Sequence, residues 1–321
     1  MATKLSILKR NGDQSNFYDT FLDARAASVS GDLIQVWADL NEQIVLKDKV
    51  DIWIMPGVVV NNTTTNVLTK GPTITDKNVA VDCKIYGMGI IINTLDIGVT
   101  WYECIKISNS GSILSVECNY IEGIGKGTNP DEINGPCIYI ENGKKFHLKC
   151  NEVYNHRNVG ISIGSSSNIV PDIILTIQKI KTGIHEGSSY YGNSALITHG
   201  NGFININEIE CSNLGHCFSH RGGTVIAKIK KLTSINNTSR YPAAVHMAQG
   251  TTSQKLILYF DEIQALKGVV TTSNSTTGIE ISQGTGIFIG SRLYSKNGYA
   301  IEITGDNVKG SITCNEIISD F

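Results

Sequence analysis

Two glutamates occupy equivalent positions in two similar short segments near the end of the chain. Glu280 lies in GIEISQG and Glu302 lies in AIEITG, while His246 has the same position in the preceding segment AVHMAQG. If these segments are neighbouring strands, the two carboxylates lie about 5 Å apart, which suits the acid pair of a retaining glycosidase. Glu280, Glu302 and His246 are therefore candidate catalytic groups, and the competing interpretation is a solvated polar face.

A second cluster combines residue types that bind metal ions. Cys211, His216, Cys217 and His220 are closely spaced, as in zinc sites. Alignment of the strands places Cys217 and His220 on the inward side, where a thiol packs as a small apolar group and a buried imidazole hydrogen-bonds to a neighbouring strand. We therefore expect no metal site here, and the sequence predicts no cofactor.

The loops that leave the strands vary most in length and carry exposed aromatic residues. Tyr190, Tyr191, Arg240 and Tyr241 lie in two of them. Such side chains can stack on sugar rings and hydrogen-bond to hydroxyl groups, so they are candidate ligand-binding residues on a continuous rim of loops. The alternative is that they are ordinary surface aromatics.

The segments that carry these groups belong to a repeat. The order apolar, any, apolar, polar, charged, apolar recurs eight times, and the final apolar residues are 121, 153, 180, 209, 232, 263, 293 and 317. Their separations range from 23 to 32 residues. A variable period of this size indicates a solenoid whose loops change in length while its strands do not.

The polar position of the repeat predicts a corner, because the spacing of the inward apolar residues changes there from two to three. Asparagine tolerates the backbone of a sharp corner and can hydrogen-bond to the repeat above. The predicted asparagine ladder consists of Asn119, Asn151, Asn207 and Asn315. The next position alternates in charge, which predicts a ladder of ion pairs through Glu152, Lys179, Glu208, Lys231, Glu262, Arg292 and Glu316.

This pattern resembles the right-handed parallel β-helix superfamily of the pectate-lyase type, in the style of bacteriophage tail or head fibres and tailspikes. The similarity covers roughly residues 30–321 and rests on the repeat, not on a catalytic signature. It implies an all-β, single-stranded right-handed parallel β-helix with coils of about 23–32 residues.

The two ends differ from the repeats. Residues 15–28 predict a short amphipathic helix whose apolar stripe contains Phe17, Phe21, Leu22 and Ala26. We therefore expect an N-terminal segment with a capping helix over residues 1–30 and the β-helix over residues 31–321. The final coil carries no cap in the sequence, so we expect either that another chain covers it or that the sequence is truncated.

Composition restricts the partners. The net charge of −2 argues against nucleic acid, and no apolar run is long enough for a membrane span. The N-terminus has no signal-peptide pattern. This absence favours synthesis and folding in a reducing cytoplasm, although the even number of cysteines, eight, would allow disulfides in a secreted chain.

These features predict a structural or receptor-binding virion component, such as a phage tail or head fibre, spike or appendage. It would be made in the host cytoplasm, assemble as a homotrimer with other virion proteins, and contact surface polysaccharide. The main alternative is a polysaccharide-degrading lyase or glycoside hydrolase of the β-helix class. A secreted or cell-surface adhesin is the third hypothesis.

Overall fold

The protein is described from a computed structural model that covers residues 4–63, 71–94, 103–123, 136–156, 159–182, 194–212, 216–236, 243–247, 253–267 and 276–320. Within these residues the chain is nearly all β-strand. The elements are β1 (Leu5–Leu8), β2 (Gln14–Tyr18), α1 (Phe21–Ala27), β3 (Leu33–Val36), β4 (Ile44–Val45), β5 (Asp51–Ile54), β6 (Val59–Asn61), β7 (Ile74–Thr75), β8 (Asp82–Tyr86), β9 (Ile90–Asn93), β10 (Ile105–Ile107), β11 (Ile113–Gly123), β12 (Ile138–Ile140), β13 (Lys145–Asn155), β14 (Ile161–Ile163), β15 (Val170–Thr182), β16 (Ser194–Ser212), β17 (His216–Gly222), β18 (Thr224–Asn236), β19 (Ala243–Met247), β20 (Lys255–Lys267), β21 (Thr276–Ile281), β22 (Gly284–Lys296), β23 (Gly298–Ile303) and β24 (Val308–Asp320).

Beyond the N-terminal strands β1 and β2, the strands pair in parallel with the equivalent strands of the next repeat, which produces two long ladders. The long-strand ladder runs through β11, β13, β15, the second half of β16, β18, β20, β22 and β24. The short-strand ladder runs through β10, β12, β14, the first part of β16, β17, β19, β21 and β23. Parallel pairing between successive repeats is the pattern of a β-solenoid, as the repeat predicts.

The long strands turn at the polar position of the repeat. Between β11 and β13 the Cα partners are Cys118 with Cys150 and Tyr120 with Glu152, and the corner residues Asn119 and Asn151 lie between them. The Asn151 side-chain amide donates a hydrogen bond of 2.8 Å to the Asn119 side-chain oxygen. The corner amides therefore link one repeat to the next.

The same corner continues along the ladder with different side chains. Asn207 donates a hydrogen bond to the side-chain oxygen of Gln178. Farther along, Asn315 lies opposite Ser291, since the flanking residues of β22 and β24 are in register. Asparagine is thus one of several polar residues that occupy this corner.

The core consists of columns, in which equivalent residues of successive strands stack on one another. Large aliphatic residues fill most inward columns and are fully buried, as in Ile138, Ile161 and Leu196. A column of small residues begins the short strands and contains Cys104, Cys137, Gly160, Ala195, Cys217, Ala244, Gly278 and Ala300. Its backbone is tightly packed, because a Cβ atom added at Gly278 would lie 2.6 Å from the carbonyl oxygen of Ala300.

The N-terminal region differs from the expected helix over residues 15–28. Residues 14–18 form β2, which pairs antiparallel with β1, and Phe17 is 56% exposed. The helix begins only after Thr20, whose side chain accepts a hydrogen bond from the backbone N–H of Asp23. A threonine in this position is an effective N-cap, so it fixes where the helix starts.

The buried face of α1 also differs from the predicted stripe. Phe21 and Ala24 are buried against the core, whereas Leu22 is 67% exposed and Ala26 is exposed. Phe21 alone among the four stripe residues packs inward. In the part of the chain described, no helix is long and apolar enough to cross a membrane.

Most of the cysteines occupy the core as small apolar residues. Cys83, Cys104, Cys118, Cys137 and Cys150 are buried and free. Sulfur atoms of neighbouring repeats lie 3.5 Å apart between Cys104 and Cys137 and 3.6 Å apart between Cys118 and Cys150. Burial raises the pKa of the Cys83 thiol to about 12, which disfavours the reactive thiolate.

The two faces of β18 provide a direct test of this packing. Ile229→Ala should lower the free energy of unfolding by about 2–5 kcal/mol, because it opens a cavity in a close-packed column. Lys228→Ala changes the exposed neighbour on the opposite face and should alter stability by less than about 0.5 kcal/mol. Urea unfolding measures both changes, and equal effects would contradict the assignment of the faces.

Candidate functional site

The candidate acid and base groups lie in one outward column of the short-strand ladder. The Cα partners follow in the order Tyr139, Ser162, Ile197, Ser219, His246, Glu280 and Glu302. Adjacent members are about 4.8 Å apart along the ladder. The structure therefore brings His246, Glu280 and Glu302 together on three successive strands.

This part of the surface is largely shielded from solvent. The side chain of His246 is 12% exposed and that of Glu280 is 18% exposed. Ser219, one strand before His246, is completely buried. Polar groups held in such surroundings interact more strongly than groups on a fully solvated face.

Hydrogen bonds hold the two carboxylates in different ways. Thr277 donates its hydroxyl hydrogen to Glu302 over 3.0 Å. Ser282 lies 3.4 Å from a carboxylate oxygen of Glu280 and 2.8 Å from the hydroxyl of Thr304. Nε2 of His246 is 3.8 Å from the other carboxylate oxygen of Glu280.

The environment moves the pKa values of two neighbours in opposite directions. Burial, reinforced by the charge of Glu302, raises the pKa of Glu280. Burial and the positive charge of Arg221 lower the pKa of His246 to about 4. A carboxyl group with a raised pKa beside an imidazole with a lowered pKa is an arrangement suited to general acid and base chemistry.

Further residues beyond the predicted catalytic set approach this cluster. Arg221 lies on the outward side of β17, and its Nε donates a hydrogen bond of 2.9 Å to Ser219 Oγ. The His216 ring stacks on the His246 ring with their centroids 4.0 Å apart. The charge of Arg221 also lowers the pKa of His199, to about 4 after the larger effect of burial. Period-2 alternation in CFSHRG would have placed Ser219 and Arg221 together, but it could not show which neighbours approach them.

The cysteine and histidine side chains of the second cluster take part in separate contacts. Cys211 and Cys217 form a disulfide, so the predicted packing of Cys217 as a free inward thiol is wrong. His220 is fully buried on the inward side, where Thr198 and the Gly223 carbonyl oxygen contact its two ring nitrogens at 3.0 and 3.2 Å. His216 points to the outward side and stacks on His246.

The charged column next to the corner keeps its register from repeat to repeat. Lys179 is 3.2 Å from Glu208 and 2.9 Å from Glu210, and its hydrogen bond to Glu210 is the main cause of its raised pKa. Glu262 lies between Lys231 at 3.7 Å and Arg292 at 3.4 Å.

The ends of the charged column follow the same alternation. Glu152 is in register with Lys179, and Arg292 contacts Glu316 at 3.1 Å. Exposed pairs of this kind contribute little stability individually. They favour a single register, because a slip of one repeat would stack like charges.

An apolar stripe runs along the outward face of the long-strand ladder. Five consecutive repeats stack apolar side chains in register, over about 19 Å. The apolar stripe consists of Ile174, Phe203, Ile226, Ile257 and Ile287. Phe203 is 60% exposed and Ile174 is 37% exposed. The sequence did not reveal this surface, since an apolar residue in a strand is normally assigned to the core. The structure shows that these five side chains lie on the outward face.

A shallow groove adjoins the N-terminal end of the apolar stripe. It has a volume of about 570 Å³ and is lined by Tyr86, Glu117, Lys149 and Ile174 among others. Lys149 forms an ion pair of 2.6 Å with Glu117 across neighbouring strands. The groove therefore combines an aromatic ring with paired charges.

The four predicted rim residues lie outside the described residues. They are Tyr190, Tyr191, Arg240 and Tyr241. Their proposed contact with a ligand stays a prediction.

Buried neutral histidines predict a loss of stability in mild acid. Folding lowers the pKa of His199, His220 and His246 from 6.5 to about 4. The unfolded chain therefore binds protons first, and the free energy of unfolding should fall as the pH drops from 6.5 towards 4. Each histidine contributes about 1.4 kcal/mol per pH unit in this window. Urea unfolding at a series of pH values measures this dependence. The free energy of unfolding of His246→Gln should fall less steeply between pH 6.5 and 4 than that of the unchanged protein, and an equal fall would contradict the lowered pKa of His246.

The comparisons with known proteins give no family to set beside this geometry. No protein-family model, curated protein or solved structure matches the chain. The functional interpretation therefore rests on the surfaces described above.

Proposed function

We propose that the chain is a structural and receptor-contacting component of a virion, such as a bacteriophage tail or head fibre, spike or appendage. It assembles with copies of itself and with other virion proteins, and it contacts surface polysaccharide of the host. The apolar stripe is the observation that carries this proposal. Contiguous exposed apolar surface on a soluble protein usually marks an interaction site.

The occupant that we propose for the apolar stripe is the same stripe of neighbouring copies in a homotrimer. Three copies related by a closed cyclic axis lie parallel and direct the same column towards that axis. All copies then share one axial spacing of about 4.8 Å, so Ile and Phe side chains can interdigitate along the whole contact. The resulting trimer is a rod whose receptor-binding surfaces face outward.

The finer features of the fold belong to the same proposal. We propose that the chain closes into a single right-handed, three-sided β-helix. The two ladders and the corner that separates the halves of each long strand support this arrangement. A right-handed crossover between parallel strands is by far the more common hand.

Phe203 provides the sharpest test of self-association. Phe203→Glu should convert the oligomer into a monomer, because it places charges at the centre of an apolar contact. Light scattering would report the change as a fall in mass towards that of one chain. Asn205→Glu is the matched control, since Asn205 is exposed on the same face of the same strand. A monomeric unchanged protein, or equal masses for both variants, would contradict the proposed trimer.

Cleavage of a polysaccharide is the second candidate function, and the Glu280–Glu302 pair favours it. The two residues are direct partners on β21 and β23, and the pKa of Glu280 is raised by burial and by Glu302. Glu280 would then protonate the glycosidic oxygen while Glu302 attacks or stabilises the sugar ring. His246 would orient or exchange protons with Glu280.

Removal of the Glu280 carboxyl tests the second candidate. If the chain shortens capsular or surface polysaccharide, Glu280→Gln should slow that reaction about 100-fold or more, because a positioned acid contributes at least that much. Release of reducing ends measures the rate. Glu262→Gln alters a carboxylate of the charged column and should leave the rate unchanged. Equal rates for the two variants would exclude Glu280 as the acid.

A further inference from the structure

Both ladders have an open edge at the last repeat that the structure describes. β24 pairs with β22 and β23 pairs with β21, and among the described residues neither strand pairs with another on its far side. An edge strand of this kind presents a row of backbone N–H and C=O groups to any strand that approaches it. β24 is 13 residues long, so this row is extended.

The hydrophobic core is also open at this end of the long-strand ladder. Phe288 and Leu293 of β22 are fully buried. Their partners in β24 are Ile312, which is only partly buried, and Ile317, which is 48% exposed. The inward face of β24 therefore lacks the covering that every preceding long strand receives from the next one.

The short-strand ladder shows the same change. Ile281 of β21 is buried, whereas its partner Ile303 in β23 is 61% exposed. Ile301 is partly buried and packs against the same core as Ile312. Exposed apolar residues beside unpaired strand edges are the features of a surface that another polypeptide covers.

The charges of β24 restrict what can pair with it. Glu316 is the last member of the charged column and contacts Arg292 on one side at 3.1 Å. A strand added on the open side would lie about 4.8 Å away, where an acidic residue would repel Glu316 and a basic residue would continue the alternation. Lys309, seven residues earlier, is exposed and favours an acidic residue opposite it.

The same charges disfavour a second copy of this chain as the partner. Residues 298–320 contain four acidic residues and one basic residue, which are Glu302, Asp306, Glu316, Asp320 and Lys309. Two such ends in contact would bring carboxylates together. At the other end of the molecule the outer strand is β2, whose five uncharged residues are too few to pair with both Lys309 and Glu316.

We infer that a β-strand of a different protein chain pairs in parallel with β24 and continues the solenoid. This strand places apolar residues opposite Ile312 and Ile317, a basic residue opposite Glu316 and an acidic residue opposite Lys309. The inference rests on the proposed assembly with other virion proteins and assigns the surface that one of them covers. The apolar stripe lies on the outward face, so the homotrimer does not use this edge.

A segment of the chain itself has the required pattern and provides the probe. The peptide of residues 170–182 has the sequence of β15, which belongs to the same ladder as β24. In the register of that ladder, its Asp172 lies opposite Lys309 and its Lys179 lies opposite Glu316. The control peptide carries Lys179→Glu and is otherwise identical.

Fluorescence anisotropy of the labelled peptides measures their binding to the protein. The Lys179 peptide should bind about threefold to tenfold more tightly than the Lys179→Glu peptide, because a cross-strand attraction replaces a repulsion. The protein variant Glu316→Lys should prefer the Lys179→Glu peptide instead. Glu117→Lys changes another exposed, ion-paired carboxylate of the long-strand ladder and should keep the original preference. Absence of binding by either peptide, or an unchanged preference in Glu316→Lys, would overturn the inference.

Hydrogen exchange locates the bound peptide. Backbone amides of residues 308–320 should exchange more slowly when the Lys179 peptide is present, because the added strand pairs with β24. Slower exchange confined to the strands of the apolar stripe would overturn the inference. Light scattering of Glu316→Lys without peptide should give the mass of the unchanged protein. A fall in mass would show that copies of this chain pair through the edge, and it would equally overturn the inference.

The outcomes separate this inference from the proposed homotrimer. Loss of peptide binding with an unchanged oligomer mass would leave the trimer in place, whereas peptide binding by a monomeric protein would leave the edge in place. Circular dichroism checks the folding of each variant. If Glu316→Lys does not fold, Glu316→Gln replaces it and should bind the two peptides with similar affinity. A preference in Glu316→Gln as large as that of the unchanged protein would overturn the inference.

Discussion

The parallel register between successive repeats is the constraint on which the rest of this structure depends. Each side chain has an equivalent one repeat away, at about 4.8 Å, above and below. Chemically equivalent groups are therefore neighbours, whether or not their contact is favourable. Stacking of apolar or small side chains stabilises the fold, whereas stacking of like charges destabilises it. The alternation of charge from Glu152 to Glu316 avoids this repulsion.

The same constraint makes the outer surface a set of columns with different chemistry. The charged column favours one register, the apolar stripe offers a contact surface, and the column of Ser219, His246, Glu280 and Glu302 concentrates polar groups. Like groups do stack in that last column, where Glu280 faces Glu302. Burial, reinforced by repulsion from the Glu302 carboxylate, raises the pKa of Glu280. Unfavourable contacts of this kind often occur at functional sites.

Much of the fold can be predicted from the sequence, because strands alternate with a period of two residues and a polar residue stands at each corner. The change of spacing at Asn119 and Asn151 predicted where the long strands turn, and the aligned short strands predicted that Glu280 is adjacent to Glu302. The N-terminal region was less predictable. Phe17 fits a helical stripe and a strand equally well, and only pairing of β2 with β1 decides between them.

The candidate site could be predicted only in part, because its contacts depend on how side chains approach one another in the folded chain. Alternation gives the side of the strand on which Arg221 and Ser219 lie, but it does not reveal that Nε of Arg221 donates a hydrogen bond to Ser219. His216 stacks on His246 across a repeat, a diagonal contact that sequence spacing does not reveal. The disulfide between Cys211 and Cys217 likewise depends on how two neighbouring segments approach one another.

The central claim is that copies of this chain lie parallel and meet along the apolar stripe. Oxidative cross-linking of single-cysteine additions at its two ends, Ile174→Cys and Ile287→Cys, tests this most directly, with the unchanged chain as background. Parallel copies bring each position next to itself, so each variant alone should form covalent oligomers on a non-reducing gel. Cross-links that appear only when the two variants are mixed would indicate antiparallel copies, and no cross-links in either case would contradict the proposed contact.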